Sequence, residues 1–260
     1  MNKKIGFIGL GKMAKAIIGG ILRQNNSALI YGYDPNNTIE GVKKLSSNVE
    51  VVEKSDIIFF CTKPFVIREV FAEVKNALTE QKLFVSIAAG ISLSIMKEYL
   101  GNSTKLVRVM PNTPALVSQG ACAVVRGEMA SDTDIEEIKN ILSNIGIVIE
   151  QTEDKIDIIT ALSGSGPAYY YYVIDKMAKA AEKLGLDYET ALKLSAQTAL
   201  GSAKMIMETG MSVEDLITAV TTPGGCTAVG NDILNNSDMA KILDETIEKT
   251  AQKACELGKK

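Results

Sequence analysis

The sequence predicts an α/β fold: a doubly wound, mostly parallel sheet in the N-terminal part, followed by an all-helical C-terminal part. Three observations predict it. Short apolar runs alternate with helix-spaced runs up to about residue 150. A glycine-rich turn follows the first of these runs. From Glu153 onward strand signals stop and helix signals take over. Strands that alternate with helices belong to parallel sheets, because each crossover must return over a face of the sheet.

The elements follow in order. Residues 4–8 form a short apolar run that ends in glycines, and 28–33 form a second. Residues 49–52, 57–61, 83–87, 106–109, 121–125 and 145–149 read as further strands. Met13, Ile17 and Ile21 recur at helical spacing and predict a helix over 13–24, with others over 65–77 and 132–143. In the second half, Pro167 sits at a helix start and Gly185 just past a helix end. Asp187 is placed to cap a helix that stops at Gly210. Ser212 and Asp215 form a capping-box variant, and a last helix spans about 238–258. The expected division is a dinucleotide-binding domain over 1–152 and a helical domain over 153–260.

Composition excludes several chemistries. The 260 residues carry a net charge of −3 with scattered basic residues, so no nucleic-acid footprint is expected. There is no run of 18 apolar residues to span a membrane. Lys12 and Lys15 interrupt the apolar start that an export signal would need, which predicts a cytoplasmic protein. Cys61, Cys122, Cys226 and Cys255 form no CxxC pair and fit no metal spacing, so no metal is expected. There is no histidine, which rules out Ser-His-Asp and Cys-His catalysis and histidine-ligated metals.

The loops carry the chemistry. The run GFIGLGKMA at 6–14 places Gly9, Gly11 and Ala14 after a strand and before a helix, the context of a pyrophosphate loop. Asp34 ends the second strand, 20 residues after Ala14. It is read either as a ligand of the ribose diol or as an exposed turn acid before Pro35. As a ligand it would favour NADH over NADPH, while Asn36, Asn37 and Thr38 offer neutral donors to a phosphate. Thr62, Lys63 and Pro64 follow a later strand, with Lys63 either facing the cofactor or solvated. Ala89 and Gly90 end the next strand and leave room for a flat ring. Asn112, in RVMPNTP at 108–114, either bonds the nicotinamide or braces the site.

Two further turns suit a small carboxylate. Ser163, Gly164, Ser165 and Gly166 precede a long helix, and Gly225, Cys226 and Thr227 precede a short one. A glycine-rich helix start leaves amides free for an anion. Plain capping and a plain turn are the alternatives. Small residues at Ala191, Ser195, Ala199, Ser202 and Ala203 let helices approach closely, within the chain or between two copies.

Taken together, GFIGLGKMA, TKP at 62–64, AAG at 88–90, RVMPNTP, ALSGSGPAY at 161–169 and TTPGGCT at 221–227 resemble pyrroline-5-carboxylate reductase, in that family's order. The resemblance implies a Rossmann-like domain followed by an all-α dimerisation domain. It implies reduction of L-1-pyrroline-5-carboxylate to L-proline with NADPH or NADH, and homodimers that can assemble to decamers. It places Gly9, Leu10, Gly11, Lys12 and Met13 at the pyrophosphate, Thr62, Lys63 and Pro64 along the cofactor, and Ala89 and Gly90 near the nicotinamide. Ser163 to Gly166 and Gly225 to Thr227 would shape the substrate pocket, with the Thr227 hydroxyl as the catalytic candidate. Cys226 and Ala219 depart from the residues expected at their positions. A β-hydroxyacid dehydrogenase and a non-catalytic nucleotide sensor are the competing readings.

Overall fold

The computed structural model describes residues 3–258 and divides them into two compact units. The first comprises residues 3–165 together with 248–258, and the second residues 166–247.

The first unit is built on an eight-stranded sheet. Its strands are β1 (Ile5–Ile8), β2 (Ile30–Tyr33), β3 (Lys43–Lys44), β4 (Ile57–Phe60), β5 (Leu83–Ser86), β6 (Lys105–Met110), β7 (Gly120–Arg126) and β8 (Gly146–Gln151). Their spatial order is β3-β2-β1-β4-β5-β6-β7-β8. All pairs are parallel except β6 with β7. The chain leaves β1 toward β2 on one side and returns to β4 on the other. That reversal opens a crevice between β1 and β4 at the carboxyl ends of the strands, where doubly wound sheets bind ligands.

Both faces of the sheet are covered, which is why β1, β4 and β5 are buried at every position. On one face α1 (Lys12–Gln24) and α5 (Asp132–Leu142) contribute Ile17, Ile21, Ile135 and Ile138 to a core with Phe7 and Phe59. On the other face lie α2 (Asn48–Lys54), α3 (Pro64–Val74) and α4 (Leu93–Leu100). They contribute Val51, Phe71 and Met96 to a core with Phe60 and Phe84. Phe60 meets Phe71 edge-on at 4.8 Å. Each such fully buried side chain contributes about 1.5–3 kcal/mol relative to exposure.

One expectation fails. Residues 49–52 read as a strand but lie within α2. Ser47 accepts the Glu50 amide, and Glu50 accepts the Ser46 amide and hydroxyl. This cap starts a helix, and Val51 and Val52 become its buried face.

After β8, α6 (Ile156–Ile159) runs into a π-type turn at 160–164, closed by a bond from the Ser165 amide to the Thr160 carbonyl at 2.8 Å. The second unit contains α7 (Gly166–Glu182), α8 (Tyr188–Thr209), α9 (Val213–Ala219), α10 (Cys226–Asn235) and the beginning of α11 (Met239–Gly258). Asp187 caps α8 and Ser212 caps α9, as the sequence predicts. The Tyr188 hydroxyl donates to Asp175 at 2.9 Å, joining α8 to α7. Among residues 166–247 only Gly166, Ala178 and Ala191 are buried. Leu194, Ile206, Ile233 and Ile242 stand half or more exposed. Among the described residues no helix is long and apolar enough to cross a membrane.

Candidate active site

The register of the parallel strands aligns Ile8, Phe60 and Ser86. The loops that follow them therefore leave one edge of the sheet side by side. Gly9 turns there with φ +89°. A Cβ on Gly9 would stand 2.9 Å from the Cys61 carbonyl oxygen, so glycine is required both for the turn and for the contact with the loop after β4. Gly11 is different. It caps α1 with no side-chain hydrogen bond, and a Cβ there would meet nothing within 4 Å. The first turn of α1 thus has no side-chain cap, at the positive end of the helix and beside an uncrowded Gly11, as an anion site requires.

Asp34 holds this loop in shape. Its Oδ2 accepts the Leu10 amide at 2.8 Å. Its Oδ1 accepts the amides of Asn36 and Asn37, both at 2.9 Å, and the Asn37 Nδ2 at 3.0 Å. Burial alone would raise the carboxyl pKa, but these N–H bonds outweigh it and hold the group below the usual aspartate range.

Across the crevice, Thr62 carries a buried hydroxyl with no hydrogen-bond partner. A buried hydroxyl is rarely left unpaired, so this atom asks for a ligand or a water. Lys63 caps α3, with Pro64 at its first position, and both are exposed. Ala89 is exposed. Gly90 has φ +75°, and a Cβ there would lie 3.2 Å from the Leu257 carbonyl oxygen. The end of α11 therefore borders the loop after β5. Open helix amides, an orphan hydroxyl and a small-residue loop along one edge fit a dinucleotide.

Asn112 follows β6. Its Nδ2 donates to the Ser163 carbonyl at 3.1 Å, and its Oδ1 accepts the Ala121 amide at 2.9 Å. This side chain serves as a brace. A second brace escaped sequence reading. The Arg108 guanidinium, 5% exposed, meets Glu153 at 3.0 Å. The same Glu153 oxygen accepts the Leu93 amide at 2.7 Å, at the start of α4. The available signal was a single arginine within an apolar strand.

The two carboxylate turns differ from each other, and the first differs from expectation. Ser165 is helical, with φ −90° and ψ −23°, and ends the π-type turn instead of acting as a helix N-cap. Ser163 and Gly164 lie in a π-type turn and Ser165 closes it, instead of forming an open helix start, because the chain stays helical from α6 through Ser165. Gly166 opens α7. At α10, Gly225 is the cap, no side chain satisfies the first amides, and Cys226 and Thr227 form the first turn. That turn does have the expected open geometry. Lys12 and Met13 begin α1, so the pyrophosphate candidates from Gly9 to Met13 are brought together with Asp34 and Thr62 in the first unit. Gly225, Cys226 and Thr227 belong to the second.

Residues 153–257 match the family described as pyrroline-5-carboxylate reductase dimerisation. Residues 4–90 match the family described as NADP oxidoreductase, coenzyme F420-dependent. The chain is 37% identical over 268 residues to the pyrroline-5-carboxylate reductase of Methanosarcina acetivorans, covering 100% of this chain and 99% of that one. A Plasmodium falciparum pyrroline carboxylate reductase, solved with NADP bound, superposes with a TM-score of 0.90 at 34% identity, covering 99% and 98% of the two chains. The Coxiella burnetii pyrroline-5-carboxylate reductase superposes with a TM-score of 0.93 at 32% identity, covering all of both.

Proposed function

The chain belongs to the pyrroline-5-carboxylate reductase family, and from that premise we propose how its own residues perform the reaction. It reduces L-1-pyrroline-5-carboxylate to L-proline with NAD(P)H, the last step of proline biosynthesis. Full-length relatives of that one activity leave the hydroxyacid dehydrogenase reading without support. The observation that most supports the assignment of residues is the set of loops at the β1–β4 crevice, with Gly11 open, Thr62 unpaired and Ala89–Gly90 alongside.

Gly9 to Met13 hold the pyrophosphate on the first amides of α1. Thr62, Lys63 and Pro64 line the cofactor, and Ala89 and Gly90 leave space for the nicotinamide. The bound dinucleotide supplies a hydride to the C=N carbon of the substrate ring. Gly225 and Cys226 present backbone amides to the substrate carboxylate, and Ser163 to Gly166 shape the same pocket. The Thr227 hydroxyl hydrogen-bonds the ring nitrogen and aligns it, while the proton on that nitrogen comes from water. No histidine is needed, and the chain has none. Orientation of this kind lowers the barrier without covalent chemistry.

Thr227→Val tests the assignment by steady-state kinetics on pyrroline-5-carboxylate. Losing one orienting bond costs about 1–3 kcal/mol, or roughly ten- to a hundredfold in kcat. NADPH affinity should be retained. Unchanged turnover would remove Thr227 from the mechanism.

The family's dimerisation region spans the helices whose apolar side chains are left exposed in the single chain, and the protein oligomerises. We take the unit to be a homodimer that can assemble to a decamer, with the boundary of the dinucleotide domain near residue 152. Four free cysteines suit a reducing, cytoplasmic compartment.

A further inference from the structure

An acid at the end of the second strand of a dinucleotide domain is expected to bind the adenosine ribose hydroxyls. Asp34 occupies that place, at the residue following β2. Its carboxylate is instead engaged by the protein, with three N–H donors on Oδ1 and one on Oδ2. A carboxylate offers about four acceptor positions. Asp34 accepts the Leu10, Asn36 and Asn37 amides and the Asn37 side chain, all within 3.0 Å. The two oxygens have separate tasks. Oδ1 closes an Asx-type turn over Asn36 and Asn37, which folds the chain after β2 back on itself. Oδ2 reaches the amide between Gly9 and Gly11 and so joins that turn to the phosphate loop. The Gly9 amide makes a second tie to the Tyr33 carbonyl at 2.9 Å.

The surroundings of the turn are neutral or basic on the side facing α1. Asn37 and Thr38 line one groove with Lys12, Lys15 and Arg23, and Glu40 is its single acid. Lys12 and Lys15 have no ion-pair partner among the described residues. A free carboxylate reading the ribose would repel a 2′-phosphate. A carboxylate held by four N–H donors has part of that repulsion cancelled.

We infer that Asp34 is a positioning residue, which locks the Gly9–Gly11 loop to the Asn36–Thr38 turn and does not read the ribose 2′ position. This rests on the cofactor reading of the same loop. The 2′ substituent is then met by Asn36, Asn37, Thr38 and Lys12, and the chain accepts a 2′-phosphate despite the acid at the end of β2.

Asp34→Asn separates the two roles. The amide can keep one oxygen over the Asn36–Asn37 turn, but its NH2 group then faces the Leu10 N–H and that tie is lost. Dissociation constants for NADH and NADPH are read by fluorescence titration of wild type and variant. A positioning role weakens both cofactors by the same factor, about three- to tenfold through lost pre-organisation. The NADPH-to-NADH ratio then stays within about twofold. A ribose-reading role weakens NADH alone, or tightens NADPH, and moves the ratio by about tenfold or more, as loss of one charged hydrogen bond does. That result overturns the inference. If Asp34→Asn does not fold, the same ratio is read in Asp34→Ser, whose hydroxyl can still close the local turn but cannot reach Leu10. A wild-type protein that binds neither NADH nor NADPH removes the cofactor reading, and this inference with it.

Discussion

Asn112 and Ser163, 51 residues apart in the chain, are joined by a single hydrogen bond from the Asn112 amide to the Ser163 carbonyl. The other end of the same amide takes the Ala121 N–H. One largely buried side chain therefore fixes the π-type turn against the sheet on which the cofactor loops sit.

Asn112→Leu removes both bonds and leaves a part-buried N–H and a part-buried carbonyl without that partner. Each unpaired group costs about 1–3 kcal/mol. The melting temperature should fall, and KM for pyrroline-5-carboxylate should rise more than the NADPH dissociation constant. The opposite order, a cofactor defect with substrate KM unchanged, would assign Asn112 to the nicotinamide.

Gly9 and Gly11 should fail in different ways. Gly9→Ala forces a side chain into positive φ, 2.9 Å from the Cys61 carbonyl. The backbone conformation alone costs about 1–2 kcal/mol, so the apoprotein itself should be destabilised. Gly11 has φ −77° and ψ −171°, which any residue adopts, and open space beyond. Gly11→Val should melt like the wild type yet bind NADPH at least about tenfold more weakly, since its branches fill the pyrophosphate seat. Thermal melts and cofactor titration, run on both variants, check this.

Asp134 supplies an acid-sensitive contact. It completes a capping box with Ser131 and meets Lys105 at 2.9 Å, joining α5 to β6. Burial raises its pKa, but the Ser131 hydroxyl and amide and the Lys105 ammonium lower it further, and the net shift is downward. A carboxyl with a depressed folded pKa adds stability above its unfolded value of about 3.9. That contribution disappears as pH falls through the folded pKa. Urea titrations between pH 6 and pH 3 should therefore show a loss of stability below pH 4 that is shallower in Asp134→Asn. Equal slopes would remove Asp134 from the acid response.

Much of the fold could be read because its rules are local. The strand at 57–61 is an uninterrupted apolar run and that at 83–87 is broken only by Ser86, as burial on both faces demands. Asp187, Ser212, Gly185 and Gly210 mark helix ends through capping chemistry that acts within a few residues. Residues 49–52 misled because valine favours strands when taken alone. The stronger signal was Ser47 followed three residues later by Glu50, a helix-start pattern that the valines obscured. At the site, the glycine loop was legible and the role of its neighbours was not. Spacing gives the position of Asp34 but not the four donors that fold onto it. The Arg108–Glu153–Leu93 link joins residues 60 positions apart and follows no short-range rule. The π-type turn at 160–164 depends on a bond five residues back along a helix, which the Gly-Ser alternation does not encode.

The helices of residues 166–247 bury almost nothing of their own apolar surface within one chain. Mass action then enters the thermodynamics of this enzyme: its resistance to heat and urea becomes a property of how many copies share a volume. A dilute sample should lose its structure at a lower temperature than a concentrated one. Any measured midpoint has meaning only alongside the micromolar figure at which it was taken.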